Sequence, residues 1–506
     1  MTAGDEGAAW AASGAMFLTG RPDGPPLGPP EGFVGRLRAV GEALGRSSGR
    51  LGRRVDVDVL ALLGERAALS GLRRGGDVSC GGSARLLRTA DGWLAVNLPR
   101  PDDLDLLPAW LAEIPYDPIL EPAGGADGLD HPDRDGDPER ITHSICGQSA
   151  RALAGEASVP GENETQEPTA GPEEGAWAAP SGAGTQGGTG GQGPGGWAAL
   201  AAAVARGSAE ALAERAGLLG LPVAALPRHP PAVTLASGPL AGLPVVASRI
   251  GAAGVEAAGA GPARGTQGLF VADLSSLWAG PLCAHLLQLA GARVVKVESL
   301  HRPDGARSGP AAFFDLLHGG QEAVALDFRD EPGRAALRRL LASADVVVEG
   351  SRPRALEQLG IEAEALLGEA AASGAGPRVW VSITGYGRAA PGRDRVAFGD
   401  DAAAAGGLVV WDEAGPCFLA DAVADPCAGM VAAAAVLGAL AGGGRWLLDV
   451  SMRDVAAHLA GPRSGPSAAP PPSGLVAAPA RARAASGRGP RLGEHTEALP
   501  AELRRR

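Results

Sequence analysis

The stretch "LADAVADPCAGMVAAAAVLGAL" (residues 419–440) sets two carboxylates, Asp421 and Asp425, just ahead of a long run of small apolar residues. Asp425 directly precedes Pro426, the arrangement expected where a helix begins. Aspartate is a favoured N-cap and proline suits the first helical turn, a combination that stabilises by about 1 kcal/mol. The same position suits a nucleophile. Exposed N–H groups and the partial positive charge at a helix N-terminus keep a carboxylate ionised and stabilise an oxyanion beside it. A carboxylate nucleophile needs such surroundings. Spacing alone leaves both roles open for Asp425. Asp421, four residues earlier in an expected strand or turn, is the competing acid.

Other familiar chemistry is missing. The sequence has no HExxH, no GxSxG and no Walker A motif. The run "GGTGGQGPGG" has no strand before it and no helix start in register, which argues against a phosphate loop. The eight histidines form no ligand-spaced pair, and His285 and His318 read as satisfied core or surface groups. Five cysteines (Cys80, Cys146, Cys283, Cys417, Cys427) are scattered without a CxxC pair. They suggest free thiols in a reducing compartment rather than a disulfide frame or a zinc site, so no metal is expected.

A formal net charge of −12 and a pI near 5.3 argue against a general nucleic-acid binder. Met1–Gly20 lacks the basic start and apolar core of a signal peptide. The longest apolar run, Val431–Ala441, is too short to span a bilayer. A cytoplasmic protein without a membrane partner is the expectation. Lysine is nearly absent and alanine is everywhere, beside 78 Gly and 42 Pro, which weakens arguments from helix propensity.

The elements that must position Asp425 lie in residues 268–460. "LFVADLSS", "RVVKVES", "AVALDF", "DVVVEG" and "RVWVSITGYG" read as buried strands. Between them "GPLCAHLLQLAGA", "DEPGRAALRRLLASA" and "RALEQLGIEAEALLGEA" read as helices. Strands alternating with helices imply right-handed crossovers and a mainly parallel sheet with helices on both faces, an α/β, Rossmann-like architecture. Ligands on such sheets bind beyond the strand carboxyl ends, where "DLSSLWAGP", "VESLHRPDG", "VEGSRPR" and "SITGYG" fall. Nearer the N-terminus, a hairpin is expected around Asp91-Gly92, leading into a helix. Two further helices follow in 197–227, the second starting near Ser208, giving a smaller α+β domain. Residues 122–196 and the tail from 461 to 506 are Gly/Pro-rich without apolar periodicity and are expected to be disordered.

The ordered motifs of the C-terminal block resemble the family III CoA-transferases, the CaiB/BaiF family, which includes formyl-CoA transferase and α-methylacyl-CoA racemase. They run from Leu269 to Leu459: "VADLSSLWAGPLCAHLLQLAGARVVKVE", "VALDFRDEPGRAAL", "ADVVVEGSRPRALEQLGI", "VSITGYG", "DPCAGMVAAAAVLGAL" and "LLDVSMRDVAAHLAG". The resemblance implies that Asp425, not Asp421, is the nucleophile. It would attack an acyl-CoA thioester and pass through an aspartyl-CoA intermediate that an acceptor carboxylate resolves. It also implies CoA contacts from Trp278 and Ala279, from Leu326, Asp327, Phe328 and Arg329, and from Gly350, Ser351 and Arg352. Arg302, Arg307 and Arg329 are the implied phosphate partners.

Departures from the family pattern are specific. Gln321 and Glu322 stand where cations are usual, Gly350 replaces an asparagine, and Phe398-Gly399 replaces a Tyr/His-Asp pair. Phe398 takes the place of the proton-transferring histidine of the racemase branch, which argues against racemase activity.

The N-terminal part, 1–121, resembles the family's returning segment and small domain, and 197–260 the helical remainder and a linker. The halves therefore stand in reversed order. "LGPPEGFVGRL" offers only Glu31 where a second Asp425 would fall. The expected function is CoA transfer between an acyl-CoA and a carboxylic acid, with a non-catalytic acyl-CoA- or protein-binding member as the alternative. Coenzyme A is expected as substrate and product, with no permanently bound cofactor, and a homodimer is expected from the interlocked dimers of the family.

Overall fold

Valine-rich runs form strands because β-branched side chains suit the pleat. The computed structural model, which describes residues 3–112, 194–251, 265–462 and 474–498, gathers seven strands into one sheet. In chain order the strands are β1 (Ala84–Arg88), β2 (Trp93–Asn97), β3 (Val223–Ala225), β4 (Val246–Ile250), β5 (Phe270–Asp273) and β6 (Arg293–Ser299). They continue with β7 (Glu322–Leu326), β8 (Val346–Glu349), β9 (Val379–Thr384), β10 (Val409–Asp412), β11 (Gly415–Phe418) and β12 (Arg445–Ser451). The large sheet runs β4-β12-β9-β8-β5-β6-β7. Every pairing in it is parallel except β4 against β12.

Side chains alternate between two cores, as a strand period of two requires. Val271, Val294, Val346, Val348, Val379 and Val381 face the helices Ala279–Leu289 and Ala424–Gly442. Phe270, Val295, Val347 and Trp380 face Leu337, Leu340 and Leu341 of the helix Glu331–Ser343 and Leu366 and Leu367 of the helix Ala363–Ser373. Helices therefore cover both faces of a mainly parallel sheet, the α/β layering expected from the sequence. "RALEQLGIEAEALLGEA" divides into two helices, Pro353–Glu357 and Ala363–Ser373.

The central helix Ala424–Gly442 extends well beyond Val431–Ala441. By length and composition it could cross a membrane, but 89% of its apolar window is buried inside the fold. Its cover comes from the far end of the sequence. Leu37, Val40 and Leu44 of the helix Phe33–Arg50 enter the same core as Val431–Val436. The N-terminal residues from Trp10 to Ala67 thus share the main core rather than forming a separate one. The small antiparallel sheet β1-β2-β3 keeps its own core, with Leu94, Val96, Trp110, Trp197 and Leu212.

Two boundaries expected from the sequence are corrected. Residues 246–250, expected as linker, form β4 on the edge of the large sheet. The tail is not disordered over 474–498. Ala478 N–H donates to Ala11 O at 2.8 Å, and His495 N–H donates to Ala323 O on β7 at 2.8 Å. Composition misses such a segment because its backbone groups are satisfied on distant surfaces rather than within a helix or strand of its own. Of the Gly/Pro-rich insert 122–196, residues 122–193 lie outside the described residues, and Pro194 opens the helix Pro194–Val204.

Candidate active site

Asp425 lies in the first turn of the central helix but is not its cap. The cap residue is Val423, and no side chain caps the helix end. Asp425 is half-buried, and its backbone N–H donates to Ala422 O at 2.9 Å. Two glycines fix its surroundings. A Cβ on Gly399 would lie 2.5 Å from Asp425 Oδ2 and would also clash with Ala422 O. Only glycine lets the carboxylate approach that backbone, where the Gly399 N–H faces it. One turn along, a Cβ on Gly429 would lie 2.5 Å from Ala279 O. The central helix can therefore press against the start of the helix Ala279–Leu289.

Around Asp425 the two halves of the chain meet. Arg66, on the short helix Glu65–Ser70, donates from Nε to Asp421 Oδ2 at 2.9 Å and from Nη2 to Asp421 Oδ1. The Arg66 guanidinium also lies over the Trp278 ring, 5.5 Å from its centroid. Asp421 is fully buried between Ala420 and Ala422, whose φ values of 52° and 42° are left-handed and strained for alanine. Asp400 accepts from Ala422 N–H at 3.1 Å and from the Ser79 hydroxyl. Cys80 Sγ lies 3.2 Å from Ala420 O.

Burial pushes the Asp425 carboxyl up to about 7; the Arg66 charge opposes the rise, while Asp400 and Asp421 reinforce it. Asp400 is likewise raised to about 7 by burial, with Asp421 adding to the rise and Arg66 opposing it. Burial disfavours the charge on Arg66, but Asp421 outweighs this and raises it. Three carboxyls thus share one guanidinium.

The expected CoA contacts divide. Trp278 and Ala279 reach the Asp425 cluster through Arg66 and Gly429. Trp278 is 2% exposed, and its indole N–H has no hydrogen-bond partner among the described residues. A Cβ on Gly350 would lie 3.1 Å from Ser275 Cβ, so the loops after β5 and β8 touch, with Ser351 beside them. Arg352 lines a cleft of about 1200 Å³ together with Arg100, Arg302, Arg354 and Arg395. Burial and then the neighbouring arginines lower Arg352. The turn Leu326–Arg329 lines neither the cleft nor the carboxyl cluster: Leu326 and Phe328 pack on the second core, and Asp327 accepts from Arg329 and lies 2.9 Å from His301 Nε2. Arg307 is engaged by Glu298, at 2.6 Å, and by Pro490 O. Gln321 and Glu322 pair internally, with His318 and Arg293 respectively.

Sequence reasoning missed Arg66, Ser79, Asp400 and one buried network. Lys296, the only lysine in the sequence, is fully buried and donates to Ser275 O at 3.0 Å. Its Nζ lies 2.7 Å from Asp304 Oδ2. Asp304 in turn accepts from Leu277 N–H at 2.9 Å. Leu277, with a left-handed φ of 69°, leads directly into Trp278. A lone lysine amid the valines of "VVKVE" was the legible signal. Among the described residues no cluster could hold a metal ion.

Residues 266–485 match the family model described as CoA-transferase family III. The succinyl-CoA–D-citramalate CoA-transferase of Chloroflexus aurantiacus is 31% identical over 154 residues, covering 29% of this chain and 37% of that protein. The (R)-2-hydroxy-4-methylpentanoate CoA-transferase of Clostridioides difficile is 31% identical over 189 residues, covering 34% and 46%. A CaiB/BaiF family protein of known structure from Brucella suis is 29% identical with a TM-score of 0.35, over 38% of this chain and 54% of that one. The chain spans about a third of the length of the first curated relatives it matches. Carrying these motifs in order along a parallel α/β sheet, the segment 266–485 is similar to CoA-transferase family III.

Proposed function

We propose that this chain moves CoA between an acyl-CoA thioester and a carboxylic acid, with Asp425 as the nucleophile. An Asp425 oxygen attacks the thioester carbonyl and the C–S bond breaks, giving a mixed anhydride and CoA thiolate. The thiolate attacks the aspartyl carbonyl and releases the first carboxylate, leaving an aspartyl-CoA thioester. An acceptor carboxylate then attacks that carbonyl and CoA thiolate leaves. The thiolate attacks the acceptor carbonyl of the new anhydride, which frees Asp425. The covalent route conserves the thioester energy in easier steps.

The observation that carries this reading is the half-buried Asp425 carboxyl beside the Gly399 N–H, with the buried Trp278 indole N–H, unpartnered among the described residues, close to the same cluster. Donors of that kind suit an oxyanion. The cleft is lined by five arginines, whose guanidinium groups recognise phosphate oxygens in pairs, and by five acidic residues, Asp102, Asp103, Glu210, Glu214 and Asp394, which oppose an anion there. The names of the relatives agree with CoA transfer in general.

Incubation with a panel of short-chain acyl-CoAs, hydroxylamine quenching and peptide mapping tests the reading. A hydroxamate at Asp425, absent from Asp425→Asn, is expected, and no adduct with any acyl-CoA rejects it. The reactive form is ionised, so adduct formation should rise with pH through a midpoint near 7. A second reading, acyl-CoA binding without turnover, is favoured by the internal engagement of Arg307 and Arg329. It predicts calorimetric CoA binding without any adduct.

A further inference from the structure

We propose that the Arg66–Asp421 pair, with Arg66 delivered by the N-terminal half, is a positioning device that sets the charge on the Asp425 carboxyl. The inference rests on Asp425 being the reactive group. The pair has the geometry of a fixed anchor. Arg66 grips both oxygens of Asp421 and lies over Trp278, so one guanidinium ties the start of the central helix to the loop after β5. Asp421 is fully buried at a backbone turn held by two left-handed alanines, and Thr19, also from the N-terminal half, accepts from Ala420 N–H at 3.0 Å.

The charged groups that act on Asp425 come from three segments. Arg66 approaches from the helix Glu65–Ser70, Asp400 from the helix Gly399–Ala405, and Asp421 from the preceding turn. Cys427 stands on the same helix as Asp425, and Cys80 lies beside Asp421 and Asp400. Arg66 is the one cation among these groups. Its charge is divided between Asp421, which it contacts directly, and Asp425, which it influences at longer range. Removing Arg66 should favour the protonated, unreactive Asp425. Removing the Asp421 charge should free more of the guanidinium field for Asp425 and favour the carboxylate. These opposite signs separate charge setting from mere support of the fold, which would lower stability in both variants without moving the ionisation.

The experiment labels the intact protein with a water-soluble carbodiimide and glycine ethyl ester across a pH series. Peptide mass mapping then reads the rate at Asp425, since the protonated carboxyl reacts. The wild-type midpoint should fall near 7. In Arg66→Gln it should rise by about one to three pH units, and in Asp421→Asn it should fall by about one. An unchanged midpoint in a folded Arg66→Gln, or a midpoint in Asp421→Asn that does not fall, overturns the proposal. If Arg66→Gln does not fold, the direction in Asp421→Asn decides alone. The labelling needs no CoA. Shifted midpoints without any acyl adduct would reject CoA transfer and keep the charge device, whereas an adduct with unshifted midpoints would do the reverse.

Discussion

Lys296 shows how much one side chain can carry. Every other cationic side chain of the Lys/Arg type in the sequence is arginine. The Lys296 site is fully buried, with Asp304 and Ser275 O close around a single ammonium. A planar guanidinium would overfill it, so Lys296→Arg should destabilise by about 1–3 kcal/mol. Lys296→Met would strand the buried carboxyls of Asp304 and of Asp273, whose Oδ2 lies 4.0 Å from Nζ, and should cost about 3–5 kcal/mol, measured by urea denaturation.

Asp400 makes the opposite case. Its folded value of about 7 lies above that of an unfolded aspartate, so between roughly pH 4 and 7 the native state holds the extra proton. The stability it contributes is complete below pH 4 and is lost as pH rises through 7. Asp400→Asn should therefore stabilise by on the order of 2 kcal/mol at pH 8 and by little at pH 4, which paired thermal melts would show. Asp425 was legible from its neighbours in sequence. Arg66 was not, because 355 positions separate it from Asp421, and nothing local marks a partner that distant.

Helices and strands set the distances around Asp425. Asp425 depends on how closely the central helix approaches Ala279, and Gly429 controls that approach. Gly429→Val should push the helix outward, destabilising by about 1–3 kcal/mol and lowering acyl-adduct formation more steeply than stability. Urea titration together with adduct kinetics at a temperature where the variant is folded would separate the two losses.

The strands were readable because each is a short apolar run between turn residues, as in "DVVVEG" and "RVWVSIT". β4 escaped because "VASRI" is mostly exposed and becomes a strand only through its pairing with β12, nearly two hundred positions later. The capping role read into Asp425 failed by two residues, the scale on which helix ends are always uncertain from sequence.

At the scale of the whole molecule, distant segments close one fold. The helix Phe33–Arg50 covers the central helix, β4 completes the sheet at one edge, and the segment 474–498 runs from Ala11 to the opposite edge at β7. Along that path Arg483 grips Glu65, whose side chain is 1% exposed, with bonds of 2.6 and 2.9 Å. Arg483→Ala should cost about 2–3 kcal/mol by leaving that carboxylate unpaired. A melting temperature equal to that of the wild type would mean the tail is not held there.

The burial of Lys296 has a consequence for the chemistry of the whole surface. No side-chain primary amine is presented by the folded protein, because the one lysine lies in the core. Amine-reactive esters, acetyl donors and isopeptide-forming conjugation systems should find no lysine to modify until the sheet opens. Acylation of Lys296 under native conditions would then count individual opening events, a clock for unfolding that needs no engineered label.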